Sequence, residues 1–136
     1  MKKLLNKNFI VLVISLGLAL AVFIFLISVN IIGSSVKAKC QLAKEKYGDS
    51  CLESLIAWLD DESNSYKSRN EAIWALGELG DEAALPVLEK YYTGQIPDRE
   101  PLAAGISQYE LKKAVNLASG GFNATAFFWR YGEAVE

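Results

Sequence analysis

The 136-residue chain contains no histidine. That absence removes the side chain most used for proton transfer near neutral pH and the commonest metal ligand. Ser-His-Asp and Cys-His catalysis, zinc fingers and His-ligated iron are therefore excluded. Also missing is any run of alternating apolar and polar β-branched residues long enough to make a strand, so the chain is expected to be all-α. A third absence is charge: nothing from Asn8 to Val36 is ionisable. The length fits one small domain and excludes a multi-domain enzyme.

What is present is divided unevenly. The formal charge of −2 is the sum of two opposite halves. Residues 1 to 46 hold seven Lys and one Glu, whereas residues 47 to 136 hold seven basic and fifteen acidic side chains. The chain thus reads as a basic flank (1–8), an apolar helix (9–32), a juxtamembrane stretch (33–48), a helical domain (49–121) and an aromatic tail (122–136).

The 24 residues from Phe9 to Ile32 are mostly Leu, Ile, Val, Phe and Ala. As a helix they span about 36 Å, enough for a hydrocarbon core of about 30 Å with some tilt. A secretory signal peptide is the competing reading, with Val36-Lys37-Ala38 as a cleavage site, but its apolar core would run only about 7 to 15 residues. The run predicts an uncleaved anchor. Lysines flank both sides, so the positive-inside rule nearly ties. The leading Met1-Lys2-Lys3 favours a cytoplasmic N-terminus in a bacterial inner membrane, with residues 37 to 136 on the periplasmic side. Gly17 and Ala21 form a small-xxx-small pair through which another membrane helix could pack.

Cys40 and Cys51 lie eleven positions apart on either side of Tyr47-Gly48, a turn signal between two helical stretches. Folded as a hairpin, the thiols face each other, and a disulfide there suits an oxidising compartment. The competing reading is two small buried apolar residues. Before the turn, the membrane helix is expected to continue to about Lys46 with Leu42 and Ala43 facing its neighbours.

A second helix follows Asp49 or Ser50 as N-cap, with Leu52, Leu55, Ile56 and Leu59 on one side. A third is announced by the capping-box pattern Ser68-Arg69-Asn70-Glu71, with Ser65 a rival cap, and carries Ala72, Ile73, Leu76 and Leu79. Gly80 closes it and Asp81 caps the next helix, which turns Ala84, Leu85, Leu88 and Tyr92 inward. Pro86 is expected just beyond the first turn, bending the start of that helix. A further helix runs from Ser107 to the stop at Gly120-Gly121 with Leu111, Ala114, Val115 and Leu117.

The stretch Ala75-Leu76-Gly77-Glu78-Leu79-Gly80-Asp81-Glu82-Ala83-Ala84-Leu85-Pro86-Val87-Leu88 resembles the centre of a HEAT repeat of the phycobilisome-lyase type. The likeness covers about residues 67 to 92, with 50 to 60 and 108 to 121 resembling helices of adjoining repeats. It implies a short α-hairpin repeat domain. Gly77 permits close packing of paired helices, and Gly80-Asp81 makes the reversal between them. Such repeats bury their apolar faces only by stacking, so residues 40 to 60 and the region from 107 onward are expected to cover the two ends.

Candidate binding residues lie outside the repeat. Residues 93 to 107 form a long loop in which Asp98, Arg99 and Glu100 stand between Pro97 and Pro101; loops of this length are often functional. Tyr91 is a surface candidate beside Tyr92. Near the C-terminus Phe122, Phe127, Phe128, Trp129, Arg130 and Tyr131 concentrate aromatic surface. That surface is expected either to fold back over the core or to dock on a partner or the membrane interface. Trp74 is expected in the core.

The expected function is a membrane-anchored scaffold or adaptor binding another membrane-associated protein, without cofactor or metal and without catalysis. The alternative implied by the resemblance is a small lyase-like enzyme or chromophore-binding factor. Nucleic acid is an unsuitable partner, because the acidic domain repels phosphate. The lysines at 37 to 46 are expected to meet anionic lipid headgroups.

Overall fold

The computed structural model describes residues 6–48 and 50–132. Lys2, Lys3, the alternative cap Asp49 and the end of the aromatic tail lie outside the described residues. Among those described there are six α-helices, one short 3-10 turn and no strands. They are α1 (Lys7–Tyr47), α2 (Cys51–Asp60), α3 (Tyr66–Leu79), α4 (Leu85–Tyr91), α5 (Gln108–Ala118) and α6 (Ala124–Gly132).

The apolar run and the juxtamembrane stretch are one uninterrupted helix. α1 has 41 residues, about 60 Å at the usual rise per residue. It is long and apolar enough to span a membrane, and none of its most apolar segment is buried. Its C-terminal half behaves differently: Gly33, Val36, Cys40 and Ala43 recur at helical spacing and are buried. Leu42 does not join this stripe and stays half exposed, because it falls one position off the buried face. Gly48, at φ 76°, ends the helix in the left-handed conformation.

α2 turns back along α1, and α3 follows on its other side. Ser50 caps α2 by accepting the Glu53 N–H. For α3 the rival cap prevails: Ser65 accepts the Ser68 N–H, and the helix starts one turn earlier than the capping-box pattern places it. α3 is the centre of the domain, packed against α1, α2, α5 and α6. At Gly77 an added Cβ would stand 2.8 Å from the Ala114 Cα, so the missing side chain sets the α3–α5 approach.

The reversal after α3 uses Gly80 at φ 61°. Asp81 caps a 3-10 turn over Glu82–Ala84 rather than α4 itself. α4 starts only at Leu85, which leaves Pro86 in its first turn, where no intrahelical hydrogen bond is required of its nitrogen. The proline therefore begins the helix and does not bend it. α4 packs along α5.

Leu55, Leu59, Ile73, Leu76, Leu88 and Leu111 are fully buried and form one core with Val36 of α1. Each contributes about 1.5–3 kcal/mol of apolar burial. The end caps are unequal. α1 and α2 close one side and α5 the other, while α6 crosses back to pack on α1. α1 and α6 therefore belong to the same small body.

Candidate interaction site

The long connection between α4 and α5 is held in place at several points. Asn70, 5% exposed on α3, donates to the carbonyls of Leu102 (3.0 Å) and Gly105 (2.9 Å) and accepts the Ser107 N–H (2.8 Å). Glu100 accepts from Ser107 Oγ (2.7 Å) and from the backbone N–H groups of Gln108 (2.7 Å) and Tyr109 (3.1 Å). It thereby occupies the N-terminus of α5, where orphan N–H groups and the helix dipole favour an anion. Burial pushes the Glu100 carboxyl up, but these hydrogen bonds outweigh it and leave it below the ordinary value. Gln108 completes the tie by accepting from Thr93 and donating to the Tyr91 carbonyl.

The pinned loop leaves apolar side chains outward. Ile96, Leu102 and Tyr109 are each at least two-fifths exposed. Ile96, Pro97, Asp98, Glu100, Leu102 and Tyr109 help to line a groove of about 470 Å³. Next to it, sharing Leu102 and Glu110, is a smaller groove of about 230 Å³ with Trp74, Lys67 and Glu71 on its α3 wall. Trp74 is only partly buried: one side packs on the core and the other lines this groove. Together the two grooves form an open, largely apolar channel beneath a loop fixed by hydrogen bonds.

The candidate residues read from the sequence are dispersed. Asp98 and Arg99 are exposed on the loop, while Glu100 is engaged as the α5 cap. Tyr91 donates to Asp60 at 2.6 Å, beside the Lys90–Asp60 ion pair, with the Arg69 guanidinium 5.4 Å from its ring. Arg130 donates to the Glu78 carbonyl at the end of α3, as buried Arg69 does to Leu59 at the end of α2. Both guanidiniums thus close helix C-termini, where a cation is favoured. Burial lowers the Arg130 pKa. Of the tail aromatics Trp129 is buried, whereas Phe122, Phe127, Phe128 and Tyr131 are exposed, so most of them do not fold over the core. Gly17 has nothing within 4 Å of an added Cβ, and Ala21 is likewise exposed.

The basic collar is partly turned inward. Lys39 pairs with Glu71 of α3. Lys46 binds Asp61 (3.0 Å) and Asn64 (2.7 Å), and Tyr47 also donates to Asp61 (2.7 Å). Hydrogen bonds from Ser63, Tyr47 and Lys46 hold the Asp61 carboxyl well below the usual carboxylate range.

Cys40 and Cys51 form a disulfide with their Cα atoms 4.9 Å apart, joining α1 to the start of α2. Asn70 and Gly33 were the residues that sequence periodicity passed over. Each had a signal: Asn70 is a polar residue within the apolar stripe of α3, and Gly33 lies three positions before Val36 on the buried face of α1.

The fold defines an all-α chain in which a membrane-length helix runs directly into a short helical-hairpin domain. Residues 68–93, the α3–α4 hairpin, match the family model of the PBS lyase HEAT-like repeat. No curated protein and no solved structure matches the chain significantly. The hairpin is therefore HEAT-like, with Gly77 at the close approach of α3 to α5 and Gly80 at the left-handed end of α3.

Proposed function

We propose that the chain is a membrane-anchored HEAT-like adaptor that holds a partner protein in the channel beneath the 93–107 loop, as an accessory part of a membrane complex. The observation that carries this reading is the channel itself: exposed Leu102, Ile96 and Tyr109 beside Trp74, under a loop fixed by Asn70 and Glu100. An apolar surface kept outward by buried hydrogen bonds is suited to a partner's apolar side chains. The function is binding, not catalysis.

Anchoring is supported by the way α1 is shared between membrane and domain. Cleavage near Ala38 would take Gly33 and Val36 out of the core and leave Cys40 two residues from a new terminus. An uncleaved helix keeps them. We place the domain on the periplasmic face of a bacterial inner membrane, a reading supported by the disulfide, which persists in oxidising compartments. Lys37, the lysine closest to the end of the apolar run, is the one we assign to the headgroup level.

Site-specific photocrosslinkers at Leu102 and Tyr109, with Glu89 as a control, test the adaptor role in intact cells. The expected result is one crosslinked protein shared by the first two positions and absent from the third. Monomer alone at all three, across several growth conditions, would overturn the role. Topology is checked separately: the domain should be digested by protease added to intact spheroplasts, and protection would place it inside.

A further inference from the structure

α6 carries two faces. Ala126 and Trp129 are buried against the domain and α1, while Phe127, Phe128 and Tyr131 are 64%, 52% and 82% exposed. The exposed rings form a continuous series that starts on the anchor helix. Phe25 meets Phe128 edge-on with centroids 5.4 Å apart, Phe128 meets Phe127 at 5.5 Å, and Phe127 meets Tyr131 at 5.3 Å.

Phe25 lies inside the uncharged run, and this fixes the level of α6. A 30 Å hydrocarbon core needs about 20 helical residues, so a span beginning at Phe9 reaches its far boundary near Ser28, and the whole apolar run reaches Ile32. Phe25 then sits about 5–10 Å below that boundary. Phe128, in contact with it, comes close to that depth, and Phe127 and Tyr131 follow from it ring by ring. Helices that lie in the membrane interface bury their apolar faces about 5–10 Å into the headgroup and acyl boundary.

The surroundings show the same gradient. Beside Trp129 a groove of about 530 Å³ runs from Leu26 and Val29 to Asn30, Ser34 and Lys37, apolar toward the membrane and polar away from it. Trp and Tyr are favoured at this level of a bilayer.

We infer that α6 is a second membrane contact, an interfacial helix whose Phe127, Phe128 and Tyr131 enter the lipid of the leaflet through which α1 leaves the bilayer. This rests on the reading that α1 spans the bilayer. The domain is then seated on the membrane surface at two places and does not swing from a single tether. With α6 fixed to α3 through the bond from Arg130 to the Glu78 carbonyl, the seat also sets the orientation of the 93–107 loop.

The test uses the full chain in phosphatidylethanolamine–phosphatidylglycerol vesicles containing a phospholipid with a diazirine high on its acyl chain, and a second preparation with the diazirine near the chain end. Adducts are mapped by mass spectrometry. The high diazirine is expected to label Phe127 and Tyr131 several-fold more than Tyr66, which is exposed on α3, and the deep one to label the Leu16–Leu20 segment. Labelled α1 with unlabelled Phe127 and Tyr131 overturns the interfacial role and leaves the anchor standing. No label on either helix overturns both. Labelling of Phe127 and Tyr131 that disappears in Phe128→Glu, while the α1 adducts persist, supports the seat.

Discussion

A Cβ placed on Gly33 would stand 2.8 Å from the Cβ of Trp129, so α1 and α6 touch with no room for a side chain between them. The contact is near the base of the indole, which cannot swing away as the tip of a long side chain could. Gly33→Leu should therefore displace α6, with an overpacking cost of about 1–3 kcal/mol that exceeds the helix-propensity gain of about 1 kcal/mol from replacing glycine. Protease cleavage within residues 119–132 should accelerate, and unchanged cleavage would count against the docked position of α6.

Gly77 makes the corresponding contact inside the repeat, against the Ala114 backbone. A backbone neighbour can yield only by moving α5 as a whole. Gly77→Val should lower the Tm of the domain by an amount equivalent to about 1–3 kcal/mol. Thermal unfolding followed by circular dichroism measures it, and an unchanged Tm would contradict the close α3–α5 approach.

The Cys40–Cys51 bond closes a short loop across the α1–α2 turn. On the chain-entropy account a loop of this size contributes about 2–3 kcal/mol. Reductant should lower the Tm of the wild-type chain and leave that of Cys40→Ala/Cys51→Ala unchanged. Equal alkylation of the two cysteines with and without reductant would show the bond to be absent in the protein as isolated.

Asn70→Ala removes three hydrogen bonds that fix the loop to α3. The buried Ser107 N–H loses its partner, a cost of about 1–3 kcal/mol. Amide exchange over residues 100–107 should rise well above that of α2. Weaker crosslinking through Leu102 should accompany it, since the channel depends on the loop.

Asp61 and Glu100 both have native pKa values below their ordinary values of 3.8 and 4.5. Protons bind the unfolded chain more readily than the folded one, so stability from these groups is complete above the ordinary values. It is lost as pH falls through the lowered native ones. Tm should decline on acidification below about pH 4.5. Asp61→Asn should narrow that decline, and identical acid profiles for variant and wild type would remove Asp61 from the account.

Much of this architecture is local and was legible. The uncharged run declares its length, Gly80 followed by Asp81 declares the reversal, and Ser107 declares the start of α5. The errors are local too. Ser65 and Ser68 both suit an N-cap, and the choice between them depends on packing: with the earlier start, Trp58 of α2 donates to Ser68 at 2.6 Å from within α3. Pro86 would bend a helix capped by Asp81, but a 3-10 turn intervenes and puts the proline in the first turn of α4.

The channel was less legible. Asp98, Arg99 and Glu100 look alike in a string, yet Glu100 is bound to the α5 N-terminus while the other two are exposed. Only the position of the Ser107–Tyr109 backbone separates them. Asn70, which holds the loop, is 32 to 37 residues from the groups it binds.

By itself the sequence determined that the chain is helical, that one helix has membrane length, that histidine chemistry is excluded and that a HEAT-like hairpin lies near residues 68–93. These properties depend on composition and on spacings within one or two turns. The tertiary structure decided that α6 returns to α1, that Trp129 fills the space over Gly33, and that Phe128 reaches Phe25. Those residues are about a hundred positions apart in the chain, and no local periodicity encodes which of two aromatic neighbours turns toward the core. That choice is made by the one place on α1 where a missing side chain lets an indole in.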